Sequence, residues 1–169
     1  EGEEQMTSAN AHYKRIFYKE EPHVLPEVFA AIKNADLIIL SMGSLYTSIL
    51  PHLICPDVAA AIKDAPAKKM YICNVMTQPG ETDGFGVSDH VNVLEKYIGK
   101  DTIDAVIASN TEVAPEILAK YATEEQKDRV QIDYDKMKDV KYKLIESDLL
   151  TTADGTIKDD SLKLSSVIF

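Results

Sequence analysis

Short, nearly unbroken apolar runs alternate along this chain with longer stretches in which apolar residues recur at helical spacing. Residues 35–40, 70–73 and 105–108 are runs of the first kind, the pattern that burial on both faces of a parallel sheet demands. Residues 14–18, 130–132 and 143–145 are shorter strand candidates. Helical spacing joins Leu25, Val28, Phe29 and Ile32, with Pro26 tolerated in the first turn. Residues 44–50 can open a helix directly after a glycine-containing loop. Asp57 reads as the N-cap of a helix through Val58, Ala59, Ala61 and Ile62. Ser88 reads as the N-cap of another through Val91, Val93, Leu94 and Tyr97, with Gly99 as its stop. Pro115 starts a helix over residues 116–121, and residues 160–167 form the last. Between them, residues 151–156 make a turn-rich spacer.

This alternation predicts one α/β domain over residues 1–169, with a parallel sheet covered on both faces. Its size suffices to bury roughly 70% of the surface the unfolded chain exposes. Ligands of such sheets gather outside the carboxyl ends of the strands. Three strand ends deliver a small polar residue there, at Ser41, Asn74 and Asn110.

Charge narrows the partners. Lys and Arg total 18 against 28 Asp and Glu, a net charge of −10, and such a field repels polyphosphate backbones, so nucleic acid is not an expected partner. A small anionic ligand is compatible with it, because a few oriented N–H groups dominate locally. No apolar run approaches the ~18 residues of a membrane span. Residues 1–4 carry neither part of a signal peptide, and the two cysteines, Cys55 and Cys73, sit in apolar surroundings as ordinary buried thiols. A cytoplasmic location is expected. The chain opens on Glu1 rather than Met, as an excised piece would, so a partner half is expected elsewhere.

The candidate chemistry lies in two loops. Residues 43–48 combine Gly43, which lets backbone approach an anion, with the hydroxyls of Ser44, Tyr46, Thr47 and Ser48 ahead of a helix. No Gly-Lys-Ser/Thr follows, so this is not a Walker motif, and a plain turn capped by Ser44 is the alternative. Tyr46 can equally pack its ring into the core. The second loop carries Asn74, Thr77, Gln78, Glu81, Thr82 and Asp83, an inventory of paired acceptors and amides that suits a sugar or ribose. The competing reading is a type II turn at Pro79-Gly80 capped by these residues. Asp89-His90 can be a base with its orienter, a metal pair, or simple helix-start chemistry; no zinc-type Cys/His spacing occurs and no metal site is expected.

The stretch Gly43-Ser44-Leu45-Tyr46-Thr47-Ser48-Ile49-Leu50-Pro51, then Cys73-Asn74-Val75-Met76-Thr77-Gln78-Pro79-Gly80-Glu81-Thr82-Asp83-Gly84 and Asp89-His90, resembles the YvcK family. Its members are often labelled gluconeogenesis factors and are related to the CofD-type 2-phospho-lactate transferases. Weaker similarity runs from Gly2 to about Lys163, and the chain looks like the C-terminal half of a longer protein. The resemblance implies a Rossmann-like, CofD-like three-layer sandwich binding a UDP-sugar, UDP-N-acetylglucosamine above all. The implied role is regulatory, in central carbon metabolism and in bacterial cell-wall synthesis and shape. By similarity, Gly43, Ser44, Tyr46, Thr47 and Ser48 line the phosphate side, and Asn74, Thr77, Gln78, Glu81, Thr82 and Asp83 shape the crevice. Tyr121 aligns with a family tyrosine that contributes to UDP-sugar binding.

Where the family reads Gly-Pro before Gly-Ser-Leu-Tyr, this chain has Ser41-Met42. Where it favours Arg-His-Asp, this chain has Lys158-Asp159-Asp160, keeping charge without the planar fork that grips a diphosphate. These two departures lead to an expectation of weaker or altered ligand binding, and the family's N-terminal glycine-rich loop has no counterpart here. The nucleotide-sugar ligand is the expected partner, with no resident cofactor, and a homo-oligomer and contact with the other half are further expectations. The alternative is a CofD-type transferase moving a phospho-lactate-like group from a nucleotide carrier with Mg2+.

Overall fold

The computed structural model describes residue 13, residues 15–152 and residues 156–169. Four strands, β1 (Leu37–Leu40), β2 (Lys68–Ile72), β3 (Ala105–Ser109) and β4 (Lys143–Ser147), lie parallel in the order β1-β2-β3-β4. Ile39 stands opposite Met70, Tyr71 opposite Val106, and Val106 opposite Leu144. The helices are α1 (Pro26–Asn34), α2 (Leu50–Leu53), α3 (Pro56–Asp64), α4 (Val87–Ile98), α5 (Pro115–Glu124) and α6 (Ser161–Ile168). A π-helical turn, Leu45–Ile49, runs straight into α2, and a small antiparallel pair, β5 (Leu150–Thr151) with β6 (Lys158–Asp159), precedes α6.

Strand alternation distributes the apolar side chains between two cores. Tyr71, Cys73, Val106 and Ala108 face one side and pack with Leu50, Leu53, Ile62, Val91 and Leu94. Ile72 and Ile107 face the other, against Leu149 and the α6 residues Leu164, Val167 and Ile168. Both faces of the parallel sheet are therefore covered, as the near-continuous apolar runs require. Leu50 and Leu94 are wholly buried, and each such leucine contributes about 1.5–3 kcal/mol through the apolar surface it removes from water.

Several boundaries differ from the expectation. No strand forms at 15–18: Phe17 points into solvent while Ile16 packs on the core, and Tyr18 hydroxyl donates to the Pro51 carbonyl of α2. Lys14 lies outside the described residues. Residues 130–132 form no strand of the sheet either. Isolated bridges tie Arg129 to Met76 and Gln131 to Gly86, so this segment pairs with the loop after β2 and with the start of α4. Asp57 falls inside the first turn of α3, where Cys55 is the cap and Pro56 supplies a fixed φ. Ser88 likewise falls inside α4, whose cap is Gly86, with the Asp89 carboxylate accepting from Gly86 N at 2.9 Å. Gly99 ends α4 as predicted, and the Asp160 carboxylate caps α6 by accepting from Leu162 N and Lys163 N. Of the spacer at 151–156, residues 153–155 lie outside the described residues.

Candidate functional site

The loops after β1 and β2 meet at the carboxyl ends of their strands, and Asn74 holds them together. Its side-chain amide donates to the carbonyls of Met42 and Gly43, each at 3.1 Å, while its carbonyl oxygen accepts from Tyr71 hydroxyl at 3.2 Å. Gly43 is required by closeness rather than by φ: a Cβ there would stand 2.9 Å from Ser48 Cβ. Ser48 N donates to the Ser44 carbonyl, and Ser48 itself is exposed. Tyr46 is buried in the core beside Tyr13, and its hydroxyl pKa is raised by that burial and then by neighbouring Tyr97 and Glu81.

Glu81 reaches back across the gap between the two loops. Its carboxylate accepts from Ser44 Oγ at 2.5 Å and from Tyr46 N at 3.3 Å, with only 5% of the residue exposed. Ser44 Oγ in turn accepts from Thr47 Oγ1 at 2.6 Å and from Thr47 N at 3.4 Å. The donor-rich start of the Leu45–Leu53 helical stretch thus already holds an anionic group, one supplied by the chain itself.

Much of the second loop is folded by its own polar groups. Glu81 N donates to the Gln78 carbonyl at 3.0 Å, and Gly80 has φ 77, the left-handed value that a type II turn needs at that position. Thr82 Oγ1 accepts from Gln78 N, Asp83 accepts from Gly80 N, and Thr77 exchanges bonds with Asp128, its Oγ1 accepting from Asp128 N at 2.9 Å. Thr77 and Thr82 are buried.

What remains open is a crevice of about 290 Å3 lined by residues 74–78 and Met42, by Tyr121, Glu125 and Lys127 from α5 and its end, and by Ile157 and Asp159. Of the predicted site residues, the structure brings Asn74, Thr77, Gln78 and Tyr121 to this crevice. Gly43, Ser44, Tyr46, Thr47, Ser48, Glu81, Thr82 and Asp83 form the two loops behind it. Lys158 is exposed, and its neighbours Ile157 and Asp159 line the crevice in its place. Tyr121 hydroxyl accepts from Ile157 N at 3.0 Å, pinning this wall to α5. Asn110 does not line the crevice; its N–H extends the sheet ladder to the Ser147 carbonyl.

Glu125, Lys127, Arg129 and Asp159 are functional candidates that carry no local motif. Each comes from a segment whose approach to β2 depends on tertiary pairing. Partial desolvation raises the pKa of the Asp159 carboxyl, although the residue is exposed. A larger recess, about 590 Å3, lies across Thr77 and Lys127, bounded by Phe85, Gly86, Leu118 and the cations Lys127, Arg129 and Lys136.

Asp89 and His90 belong to the scaffold of α4. His90 is 1% exposed, its Nδ1 is 2.9 Å from the Gly86 carbonyl, its ring meets Phe85 edge-on, and burial pushes its pKa down. Asp133 caps the same helix from a distance, accepting from Ser88 N and Oγ. Burial works against its charge, but those bonds and Lys136 outweigh it and hold the carboxyl below the usual range. Burial pushes the Cys73 thiol up to about 12, which makes it inert. Among the described residues, no group of three or more His, Cys, Asp and Glu is arranged to hold a metal ion, and no single helix is long and apolar enough to cross a membrane.

A parallel sheet covered on both faces, with a polar crevice at its strand ends, defines an α/β domain of the Rossmann-like class. Residues 1–150 match the family described as 2-phospho-L-lactate transferase CofD, and the chain belongs to it. It is 38% identical over 168 residues to the gluconeogenesis factor of Bacillus subtilis (strain 168), a match spanning 99% of this chain and 53% of that protein. To the gluconeogenesis factor of Halalkalibacterium halodurans it is 36% identical, over 99% of this chain and 52% of that one. Two crystal structures of a Bacillus halodurans protein, one described as a member of the UPF0052 family, superpose with TM-score 0.91 at 34% and 36% identity. Each match covers 99% of this chain and 54% of the other. The chain therefore spans about half the length of the curated relatives it matches, and corresponds to their C-terminal part.

Proposed function

We propose that this chain is the crevice-bearing portion of a regulatory protein that binds a UDP-sugar, with UDP-N-acetylglucosamine the first ligand to test. The observation that carries the reading is the crevice itself, placed at the β1 and β2 ends and lined by an amide, a carbonyl-rich loop and a phenol. Gln78 and Tyr121 can read ribose or sugar hydroxyls there, while Asn74 and Glu81 fix the loops that present them. Relatives named gluconeogenesis factors support a regulatory role in central carbon metabolism. Control of bacterial cell-wall synthesis and cell shape in the cytoplasm belongs to the same proposal, as do a homo-oligomer and a site completed by sequence outside this chain.

Calorimetric titration with UDP-N-acetylglucosamine tests the reading. Saturable binding weakened several-fold by Tyr121→Ala supports it, and the absence of heat from both this chain and a full-length form removes it.

A second reading has its own observation. The matching family is described as a transferase, and Glu125 and Asp159 put two carboxylates on the crevice. Mg2+ takes oxygen donors of that kind together with substrate phosphates, so these residues fit such an ion, which would neutralise the charge of the transferring group. With an acceptor bearing a free hydroxyl present, Mg2+-dependent transfer of the phospho-lactate group onto that hydroxyl with release of a nucleoside monophosphate would establish this reading, whereas ligand binding without product over hours would dismiss it.

A further inference from the structure

Three observations locate the phosphates of the proposed ligand away from the loop that the sequence motif favours. The start of the Leu45–Leu53 helical stretch is filled by the Glu81 carboxylate, so a ligand anion placed there meets a buried negative group. The 290 Å3 crevice faces Glu125 and Asp159 and has Lys127 as its lining cation, a poor setting for a diphosphate. The adjoining 590 Å3 recess has the opposite balance, with Lys127, Arg129 and Lys136 against Asp128 and Asp133. Thr77 and Lys127 border both spaces, so one elongated molecule can occupy the two together.

We propose that this recess is the phosphate-binding subsite of the crevice, with Arg129 as its fixed anchor and Lys127 as its adjustable one. The assignment rests on the nucleotide-sugar reading, in which the diphosphate lies between the base and the sugar.

The cations in the recess are not equivalent. Asp89 and Asp133 neutralise Lys136, at 3.0 and 3.4 Å. Lys127 pairs at 2.7 Å with Glu125, a partner 44% exposed, and a pair of that kind contributes little and exchanges readily for a stronger anion. Arg129 differs from both. Its guanidinium donates to the carbonyls of Ser109 and Thr111, which line a neighbouring cavity that Arg129 borders as well as this recess, and among the described residues no carboxylate forms an ion pair with it. These two carbonyls fix the orientation of the group without cancelling its charge. Burial works against that charge, and the neighbouring Glu112 favours it only at longer range. A half-buried guanidinium held by neutral acceptors is pre-organised for an anion, and phosphate oxygens match its planar donors. Leu118, Ala119 and Ala122 add apolar surface to the lining of the recess.

Titration with inorganic pyrophosphate, and separately with UDP-N-acetylglucosamine, tests the assignment on this chain and on Lys127→Gln and Arg129→Lys. Lys127→Gln leaves every backbone bond in place, and Arg129→Lys retains the charge while losing the fork, so a thermal melt alongside each titration separates binding from folding. Pyrophosphate should bind the unsubstituted chain and lose roughly tenfold in affinity in each variant, as for a lost charge-assisted bond. The UDP-sugar should lose a similar factor in both. Pyrophosphate binding that is absent, or equal in all three proteins, overturns the subsite. UDP-sugar affinity unchanged in both variants also overturns it, while leaving the nucleotide-sugar reading standing. Pyrophosphate binding lost in the variants, with no UDP-sugar binding to any of the three proteins or to a full-length form, upholds the subsite and refutes the nucleotide-sugar reading instead.

Discussion

Replacing Glu81 should destabilise the protein before it affects any ligand. Glu81→Ala deletes the acceptor of Ser44 Oγ and of Tyr46 N, and the site is only 5% exposed, so water cannot freely replace it. A hydrogen bond to a charged group contributes about 1.5–3 kcal/mol, and losing a helix-start cap costs about 0.5–2 kcal/mol. These overlap, because the same carboxylate provides both, so a loss of about 2–3 kcal/mol is expected. In a domain of this size that lowers Tm by roughly 4–12 °C. Glu81→Gln keeps one acceptor oxygen and the side-chain volume, and should lose only about 1 kcal/mol through the missing charge. Urea and thermal unfolding of the three proteins without ligand measure this order. A Tm for Glu81→Ala within about 1 °C of the parent, accompanied by weaker UDP-sugar binding, would refute the reasoning and return Glu81 to direct ligand contact.

Gly43→Ala should destabilise by about 1–3 kcal/mol, because its Cβ meets Ser48 Cβ at 2.9 Å; adding Ser48→Gly should recover part of the loss in urea midpoints. Asn74→Asp should cost about 2–3 kcal/mol, since a carboxylate cannot donate to the Met42 and Gly43 carbonyls, and denaturant titration reads the change. His90 is buried with a lowered pKa, so between its folded and ordinary values the unfolded chain binds the extra proton; stability is complete above about pH 6.5 and falls as pH drops below it. In His90→Gln, which keeps an amide donor for the Gly86 carbonyl, Tm should fall less between pH 7 and 5 than in the parent. Tyr121→Phe should cost about 0.5–1.5 kcal/mol and speed hydrogen exchange at the Ile157 amide, its partner in the crevice wall.

Three of the four sheet strands stand out in the sequence because 35–40, 70–73 and 105–108 have almost no polar interruption, although β1 is an edge strand whose Ile39 is exposed. The fourth, β4, was anticipated at 143–145 and extends to Ser147. Caps were harder. Asp57 and Ser88 have the side chains of N-caps, yet Cys55 and Gly86 occupy those positions, because Pro56 can open α3 and Asp133 satisfies the Ser88 donors from far along the chain. Residues 130–132 misled for a related reason: alternation specifies an extended backbone, and only tertiary pairing decides whether the neighbour is a sheet or a loop.

The site illustrates why a polar loop in a sequence underdetermines the surface it makes. Thr77, Glu81, Thr82 and Asp83 have the functional groups a sugar needs, but donors and acceptors in one tight loop reach each other first. Their consumption in folding still bears on binding. A loop ordered by its own hydrogen bonds presents Gln78 and the crevice floor in a set geometry, so the entropy of ordering is met on folding and not again at each binding event. A ligand then needs few direct contacts, and those can come from distant segments such as Tyr121, Lys127 and Arg129 without belonging to the motif. The motif and the contact surface thus overlap only at the crevice floor, through residues 74–78. Substitutions at Thr82 and Asp83 should act on stability and lower affinity only through the loop's shape, Lys127→Gln should lower affinity at nearly constant stability, and substitutions at Arg129 should lower both, because its guanidinium also holds the Ser109 and Thr111 carbonyls.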